Sequence, residues 1–381
     1  MACHIRCGVI KYRQVISLRM EYMMKKWRLA AAAALVAAFA MCLFLMLSPG
    51  SSSAQPLRLW YISGDCSDKA LVSLVSDYNR RGGKRARPVS VQSFEDEAAL
   101  GAAFETDMPD LLLCSHAKAV QLDSRAVLAR FKTDADIWTR DVSGLEGVGE
   151  YFFPLGARVT VLLTDTAKCE AAGLPASWDS LEALLDTAQD YAASSGAPLI
   201  AADSYAAVFR GALLSLGADF DPAAPDARAE DYVKIYNALA QCAYNGGLSA
   251  AESLPGDLPC MLAQSTAVGG GLPSSLSASL APLPEGGSDM RPAELLGIAV
   301  LHNENRNSNA AIAFIDWLCG REWLSKLALD SGLVPVSELD SASDSPLLEL
   351  YDCGKLSFAD TDGGAEREFD AQFRRTIELL N

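Results

Sequence analysis

Between Leu57 and His116 the chain repeats one order: a short apolar run, a turn, then apolar residues at helical spacing. Leu57 to Ile62 is stopped by Ser63-Gly64-Asp65, and residues 68–79 then carry Leu71, Leu74, Val75 and Tyr78 on one helical face. A second strand is predicted over Pro88 to Gln92 with a helix over Glu95 to Glu105, and a third strand over Asp110 to Leu113, ending at Cys114-Ser115-His116. Alternation of the two periods leaves few folds open, because parallel strands need a crossover and the crossover helix packs back on the sheet. The prediction is an α/β fold with mainly parallel sheets flanked by helices.

Further along, Arg158 to Leu163 reads as a strand. Ser177 is the predicted N-cap of a helix whose stripe is Trp178, Leu181, Leu185, Ala188 and Ala192. Residues 204–216 and 229–245 are predicted helices, Leu295 to Leu301 a strand, Asn309 to Cys319 and Glu322 to Asp330 helices, Gly332 to Val336 a short strand, and Glu366 to Leu380 a final helix. No internal repeat interrupts this order. The residues after Ala54 exceed what one core usually serves, yet no low-complexity linker divides them, so two lobes with a cleft between them are predicted.

The segment before Ala54 has a different character. Lys25, Lys26 and Arg28 precede the uncharged run Leu29 to Leu47, and Ser48-Pro49-Gly50 with three serines and Ala54 follow it. Basic, apolar, then small is the order of an export signal, and the positive flank stays cytoplasmic, which places the remainder extracytoplasmic. The run is long enough to span a membrane, so cleavage after Ala54 and retention as an anchor both fit, and Met23 or Met24 fits as the start. Cys42 makes a poor lipidation site, because Phe39-Ala40-Met41 precedes it and the apolar run continues past it. Residues 1–54 hold seven of the 32 Lys and Arg and one of the 48 Asp and Glu, so the remainder carries a net charge near −22. That charge excludes nucleic acid as a partner.

The remainder holds Cys66, Cys114, Cys169, Cys242, Cys260, Cys319 and Cys353, an odd number without C-x-x-C spacing. Most have apolar neighbours, where a thiol acts as a small buried hydrophobe, so they do not read as a disulfide framework.

Three stretches together resemble the extracellular solute-binding proteins of sugar-importing ABC transporters, the maltose-binding-protein-like, type II periplasmic-binding-protein family. They are Leu59-Trp60-Tyr61-Ile62-Ser63-Gly64 with Pro109-Asp110-Leu111-Leu112; Phe153 to Val159 with Gly173-Leu174-Pro175 and Ser177-Trp178-Asp179-Ser180-Leu181; and Gly297-Ile298-Ala299-Val300 with Ala310 to Leu318 and Gly332 to Val336. The resemblance implies a two-lobed fold with hinge strands, crossed at about residues 157–161, 293–298 and 332–337. Lobe one would be residues 55–157 and 298–331, and lobe two residues 158–297 and 332–381. It also implies a monomeric binding protein that captures a carbohydrate in the interlobe cleft and delivers it to membrane permease subunits, with no cofactor and no catalytic residues.

Ligands in open α/β sheets sit beyond the carboxyl ends of the strands. Ser63 and Asp65 follow the first strand, Ser93 the second, and Ser115 and His116 the third. Hydroxyls and carboxylates there suit sugar hydroxyls, although Asp65, Ser93 and Ser115 equally suit helix caps. His116 has no partner histidine, so no metal site is predicted. In the second lobe Asp203-Ser204-Tyr205 stands where a strand yields to a helix, a cleft-facing position by the resemblance and an N-cap by local pattern. Trp138, in the polar stretch Asp136 to Arg140, is the candidate for stacking on a pyranose, whereas Trp178 and Trp317 lie on apolar helical faces. Gly270, within Gly269 to Gly271, either brings backbone N–H groups to a ligand or merely turns the chain, and Arg158 at the hinge suits a ligand contact or an interlobe salt bridge.

Two other functions compete. A tethered sensor would report to a membrane kinase instead of a permease. An extracellular glycoside hydrolase would need two carboxylates flanking a glycosidic bond, but the chain has no G-x-S-x-G, H-E-x-x-H or G-x-x-x-x-G-K-[ST] pattern, and Cys114 with His116 is a poor nucleophile and base pairing.

Overall fold

The structure, a computed structural model, describes residues 55–381 apart from 82–86, 134–136, 139, 252–257, 270, 303–307, 338–344, 351–354 and 359–362. Leu29 to Leu47, Cys42, Gly270 and Cys353 therefore lie outside the described residues. Residues 55–381 form one compact unit.

The opening alternation folds as the sequence order requires. Strand β1 (Leu57–Ile62) is followed by α1 (Asp68–Arg81), β2 (Val89–Phe94), α2 (Glu97–Thr106), β3 (Leu111–Ser115) and α3 (His116–Asp123). Leu71, Leu74, Val75 and Tyr78 are the buried face of α1, while Asp68 in its first turn and Arg80 and Arg81 in its last complement the helix dipole. Strand β1 lies between β2 and β3, parallel to both. Its side chains are buried on both faces, as a parallel strand covered by helices should be.

Strand β4 (Phe152–Arg158) leads into β5 (Thr160–Asp165), followed by α4 (Thr166–Ala172), α5 (Leu181–Ser195), β6 (Ile200–Ala202), α6 (Tyr205–Ser215), α7 (Glu230–Tyr244), β7 (Cys260–Gln264) and β8 (Leu276–Leu280). The chain returns through β9 (Arg291–Val300), α8 (Asn309–Leu318), α9 (Arg321–Asp330), β10 (Val334–Pro335) and β11 (Leu356–Phe358), and ends in α10 (Gly363–Leu380). The strand expected over Arg158 to Leu163 is thus the junction of two strands. Helix α5 is capped by Ser180, whose hydroxyl accepts the Ala183 amide, and not by Ser177. Trp178 precedes that helix and is buried.

Two sheets result. The larger has the order β10-β4-β9-β3-β1-β2, with β11 on β9, and the smaller is β6-β7-β5-β8. The expected two-sheet α/β architecture is present, but both sheets are mixed in sense. Strand β9 runs antiparallel to β3 and β4, and β5 runs antiparallel to β7 and β8. The cause is connectivity: β4 arrives at the junction between the sheets and β9 leaves from it, so neighbours must oppose.

Leu333, Val334 and Val336 are buried, and Val334–Pro335 pairs with Gly156 and Ala157 of the larger sheet. The segment 332–337 therefore stays with the larger sheet, as does the expected lobe-two stretch Arg291 to Gly297. The return to the smaller sheet comes with α10, whose Phe369, Phe373 and Ile377 join the core around Phe209 and Tyr205. Each such fully buried side chain contributes about 1.5–3 kcal/mol.

Candidate functional site

The strands that end at the junction of the sheets bring polar groups together there. After β1, Asp65 donates its amide to Ile62 O at 3.1 Å, closing a turn in which Gly64 takes φ +97°, a conformation glycine adopts without steric cost. Ser67, not Asp65, caps α1 by accepting the Ala70 amide. The Asp65 carboxylate is thereby left for Arg158, whose Nη1 donates to Oδ1 at 2.9 Å. Arg158 also donates from Nε to Glu294 Oε2 at 3.0 Å, and Nη2 reaches the same oxygen. Side chains of all three are mostly buried. Burial raises the Asp65 pKa, and the charge of Arg158 offsets part of that. Burial alone would lower the Arg158 pKa, but Glu294 and Asp65 outweigh it and hold the guanidinium more firmly protonated.

On the smaller sheet Asp203 follows β6, and its Oδ2 accepts the Gln264 amide at 2.6 Å. Its Oδ1 is buried with no hydrogen-bond partner among the described residues. Burial raises this carboxyl as well, with the Gln264 and Ser204 amides and Arg158 lowering it in part. The Asp203 backbone is pinned from α10: Arg374 donates to Asp203 O and Ala202 O at 2.7 Å each, and to Ala250 O and Ala251 O at 3.0 and 2.8 Å. Arg210 of α6 pairs with Glu366 of α10 nearby.

Two hollows flank Glu294. One, of about 230 Å³, is bounded by His116, Ala117, Leu145, Glu146, Glu294 and Phe358. The other, of about 30 Å³, is bounded by Arg158, Arg210, Gln264, Glu294 and Glu366 among others. At the larger hollow the carboxylates of Glu146 and Glu294 can accept from ligand hydroxyls, whereas the guanidinium groups of Arg158 and Arg210 border only the smaller one, which is of water size. Among the described residues no group of three or more His, Cys, Asp or Glu is arranged to hold a metal ion.

The sequence candidates divide. Asp65, Arg158 and Asp203 belong to this junction. His116 borders the larger hollow, its Nε2 2.7 Å from Glu146 O and its ring edge-on to Phe152. Ser63 and Ser93 are exposed at the ends of β1 and β2. Ser115 and Ser204 act as helix caps, accepting the Lys118 and Ala207 amides at 3.3 and 3.1 Å.

Two candidates are corrected. Trp138 is 5% exposed, edge-on to Phe153, with Nε1 donating to Pro154 O, so its faces are taken up by the core despite its polar sequence neighbours. Tyr205 is 1% exposed, its hydroxyl donating to Ser249 O and its ring packed on Phe373, so it is a core residue of the smaller sheet. Glu294, Gln264, Arg210 and Glu366 were missed. Only Glu294 left a signal, a single carboxylate within the apolar strand Leu295 to Val300 and its approach.

Residues 73–347 match the family of bacterial extracellular solute-binding proteins. The chain belongs to this family. Its place is therefore extracytoplasmic, and its family's activity is solute binding. No curated protein sequence matches the chain. Among solved structures it is similar to the GacH receptor of Streptomyces glaucescens, described unliganded and with acarbose, at 14% identity and TM-score 0.67 over 86% of this chain and 95% of that one. It is also similar to UgpB from Mycobacterium tuberculosis in complex with glycerophosphocholine, at 17% identity and TM-score 0.69 over 86% and 97%. The cyclic alpha-maltosyl-1,6-maltose binding protein of Arthrobacter globiformis aligns at 15% identity and TM-score 0.61 over 86% and 95%. At these identities the likeness is one of fold, the two-lobed binding-protein fold. Among the described residues no helix is long and apolar enough to cross a membrane.

Proposed function

We propose that this solute-binding protein is the substrate-capturing component of an ABC importer, that its ligand is a carbohydrate, and that it passes the ligand unchanged to a membrane permease. The observation that carries this reading is the polar junction of Asp65, Arg158, Glu294 and Asp203, set where the chain passes between two sheets, of which Glu294 also borders a hollow of about 230 Å³. One structure similar in fold, described in complex with acarbose, supports the sugar class; another, in complex with glycerophosphocholine, marks the competing one.

In this reading lobe one comprises residues 55–158 and 291–358, and lobe two residues 160–280 and 363–381. Ser63, Ser93, Ser115 and His116 line the first side of the cleft and Asp203 and Ser204 the second, with Arg158 at the hinge. The receptor works as a monomer, held at the membrane by Leu29 to Leu47 or released after Ala54. Closure is driven only by contacts the ligand makes better in the closed state.

Thermal-shift titration of the full chain against mono- and oligosaccharides, glycerophosphodiesters, polyamines and amino acids tests it. A concentration-dependent rise in Tm with a sugar, recovered chemically intact, is the expected result. A shift with another class alone overturns the ligand; recovery of cleaved sugar overturns the binding-only role.

A further inference from the structure

Cys169 and Cys260 are 91 positions apart in sequence, yet their Sγ atoms lie 4.0 Å apart in the core of the smaller sheet. Cys260 opens β7 opposite Thr164 of β5, and Cys169 lies on α4, the helix that follows β5. Both thiols are almost fully buried. The other buried thiols have different company: Cys66 is 2.8 Å from Ser331 Oγ, and Cys242 donates to Leu185 O at 3.6 Å.

A disulfide needs its sulfurs about 2.05 Å apart, and rotation about the two Cα–Cβ bonds is the movement that closes such a gap. The compartment matters as much as the distance. An extracytoplasmic protein meets oxidants that a cytosolic one does not. We propose that Cys169 and Cys260 form a disulfide that ties α4 to β7 in the exported protein.

The oxidant is an external disulfide. One cysteine thiolate attacks it, forming a mixed disulfide and releasing one oxidant thiol. The second thiolate then attacks the protein sulfur of that mixed disulfide, forming the Cys169–Cys260 bond and releasing the other oxidant thiol. The two electrons end on the oxidant's sulfurs, and the two cysteine protons on its thiols. Burial sets the timing, because an oxidant reaches these sulfurs only while the chain is folding after export. The contact between the thiols raises the Cys260 pKa and lowers that of Cys169, so in a folding chain where β5, α4 and β7 have met but the core has not yet closed over them, Cys169 is the better attacking sulfur. The bond closes a long loop spanning α5, β6, α6 and α7, the kind of closure that most restricts the unfolded chain. It lies in the core of the smaller sheet and so stands independently of the ligand.

The test uses the full chain, exported through its own N-terminus, denatured with N-ethylmaleimide and digested without reduction. The expected product is one linked peptide pair holding Cys169 and Cys260, lighter by two hydrogens than the two thiol peptides, with Cys66, Cys114 and Cys242 recovered alkylated. Reductant should lower the Tm of this protein by several degrees and leave that of the Cys169→Ala/Cys260→Ala double variant unchanged. Recovery of Cys169 and Cys260 as alkylated thiols, both from exported protein and after refolding with oxidised glutathione, overturns the proposal, as does a link from either to another cysteine. Should the double variant not fold, Cys169→Ser alone decides: Cys260 recovered alkylated supports the pair, and Cys260 linked elsewhere overturns it.

Discussion

Arg158, the last residue of β4, faces Glu294 of β9 across an antiparallel ladder, and its Nε donates to Glu294 Oε2 at 3.0 Å. The same guanidinium holds Asp65 from the turn after β1. One cation thus pairs with two carboxylates at the place where the chain passes between the sheets, and leaves the three groups with a net charge of −1. Replacing Arg158 by Met leaves both carboxylates mostly buried, unpaired and mutually repelling. The expected cost is about 3 kcal/mol at neutral pH, since removing one partner of a buried pair strands the other charge. Urea unfolding measures it; a loss below about 0.5 kcal/mol would mean that the group is screened as a surface pair is.

Asp203 gives the pH prediction. Burial holds its carboxyl above the ordinary 3.8. A carboxyl whose folded pKa exceeds its unfolded value binds its proton more tightly when folded, so its stabilising contribution is complete below the unfolded value and is lost as pH rises through the folded one. Asp203→Asn removes this titration and keeps an oxygen for the Gln264 amide. Relative to the variant, wild type should be most stable below pH 3.8 and lose ground as pH rises through the folded value, with no further change above it. Urea midpoints for both proteins across that window are the measurement, and a difference independent of pH would refute the assignment.

How much of this could be read beforehand depended on sequence distance. Helix α1 was legible because Leu71, Leu74, Val75 and Tyr78 lie within two turns, and α5 was misplaced by three residues because Ser177 and Ser180 are both good caps in sequence. The junction was half legible. Arg158 stands out beside a strand end, but Glu294 lies 136 positions away and Asp65 93, and no local pattern pairs them. Trp138 misled for the opposite reason. Its neighbours are polar, while its burial comes from a bridge to Ser337 and from Phe153, neither of which periodicity reports. Arg374 was invisible as a determinant of Asp203, because one arginine inside a charged final helix reads as solvated until its guanidinium is seen on four carbonyl oxygens.

Gly332 tests how tightly the sheets are apposed. It has φ +71°, and a Cβ added there would meet Ser265 O at 2.1 Å and Gly269 N at 2.8 Å. Ser265 is itself held by its amide and hydroxyl to Val159 O and N, on the residue between β4 and β5. Backbone on both sides leaves nothing flexible to move. Gly332→Ala should cost about 3 kcal/mol or more, combining overpacking with a left-handed conformation that alanine disfavours. Calorimetry should show a fall in Tm of about 5 °C or more. An unchanged Tm would show that the segments 265–269 and 331–332 part easily.

Ligand binding separates the cleft residues from those assigned to the core. Asp203 has one buried oxygen without a hydrogen-bond partner among the described residues, positioned by an amide and pinned from α10, so a sugar hydroxyl would meet a charged acceptor there. Charge-assisted bonds contribute about 1.5–3 kcal/mol, which predicts at least about tenfold weaker binding for Asp203→Asn of whichever sugar gives the thermal shift. Trp138→Phe should leave the Kd within about twofold, since the indole spends its faces on Phe153 and its N–H on Pro154 O, although losing that buried bond costs about 1 kcal/mol of stability. Isothermal titration of the two variants beside wild type decides the matter. Weakening by Trp138→Phe with no effect of Asp203→Asn would move the binding surface to the Trp138 side of the larger sheet and withdraw Asp203 from it.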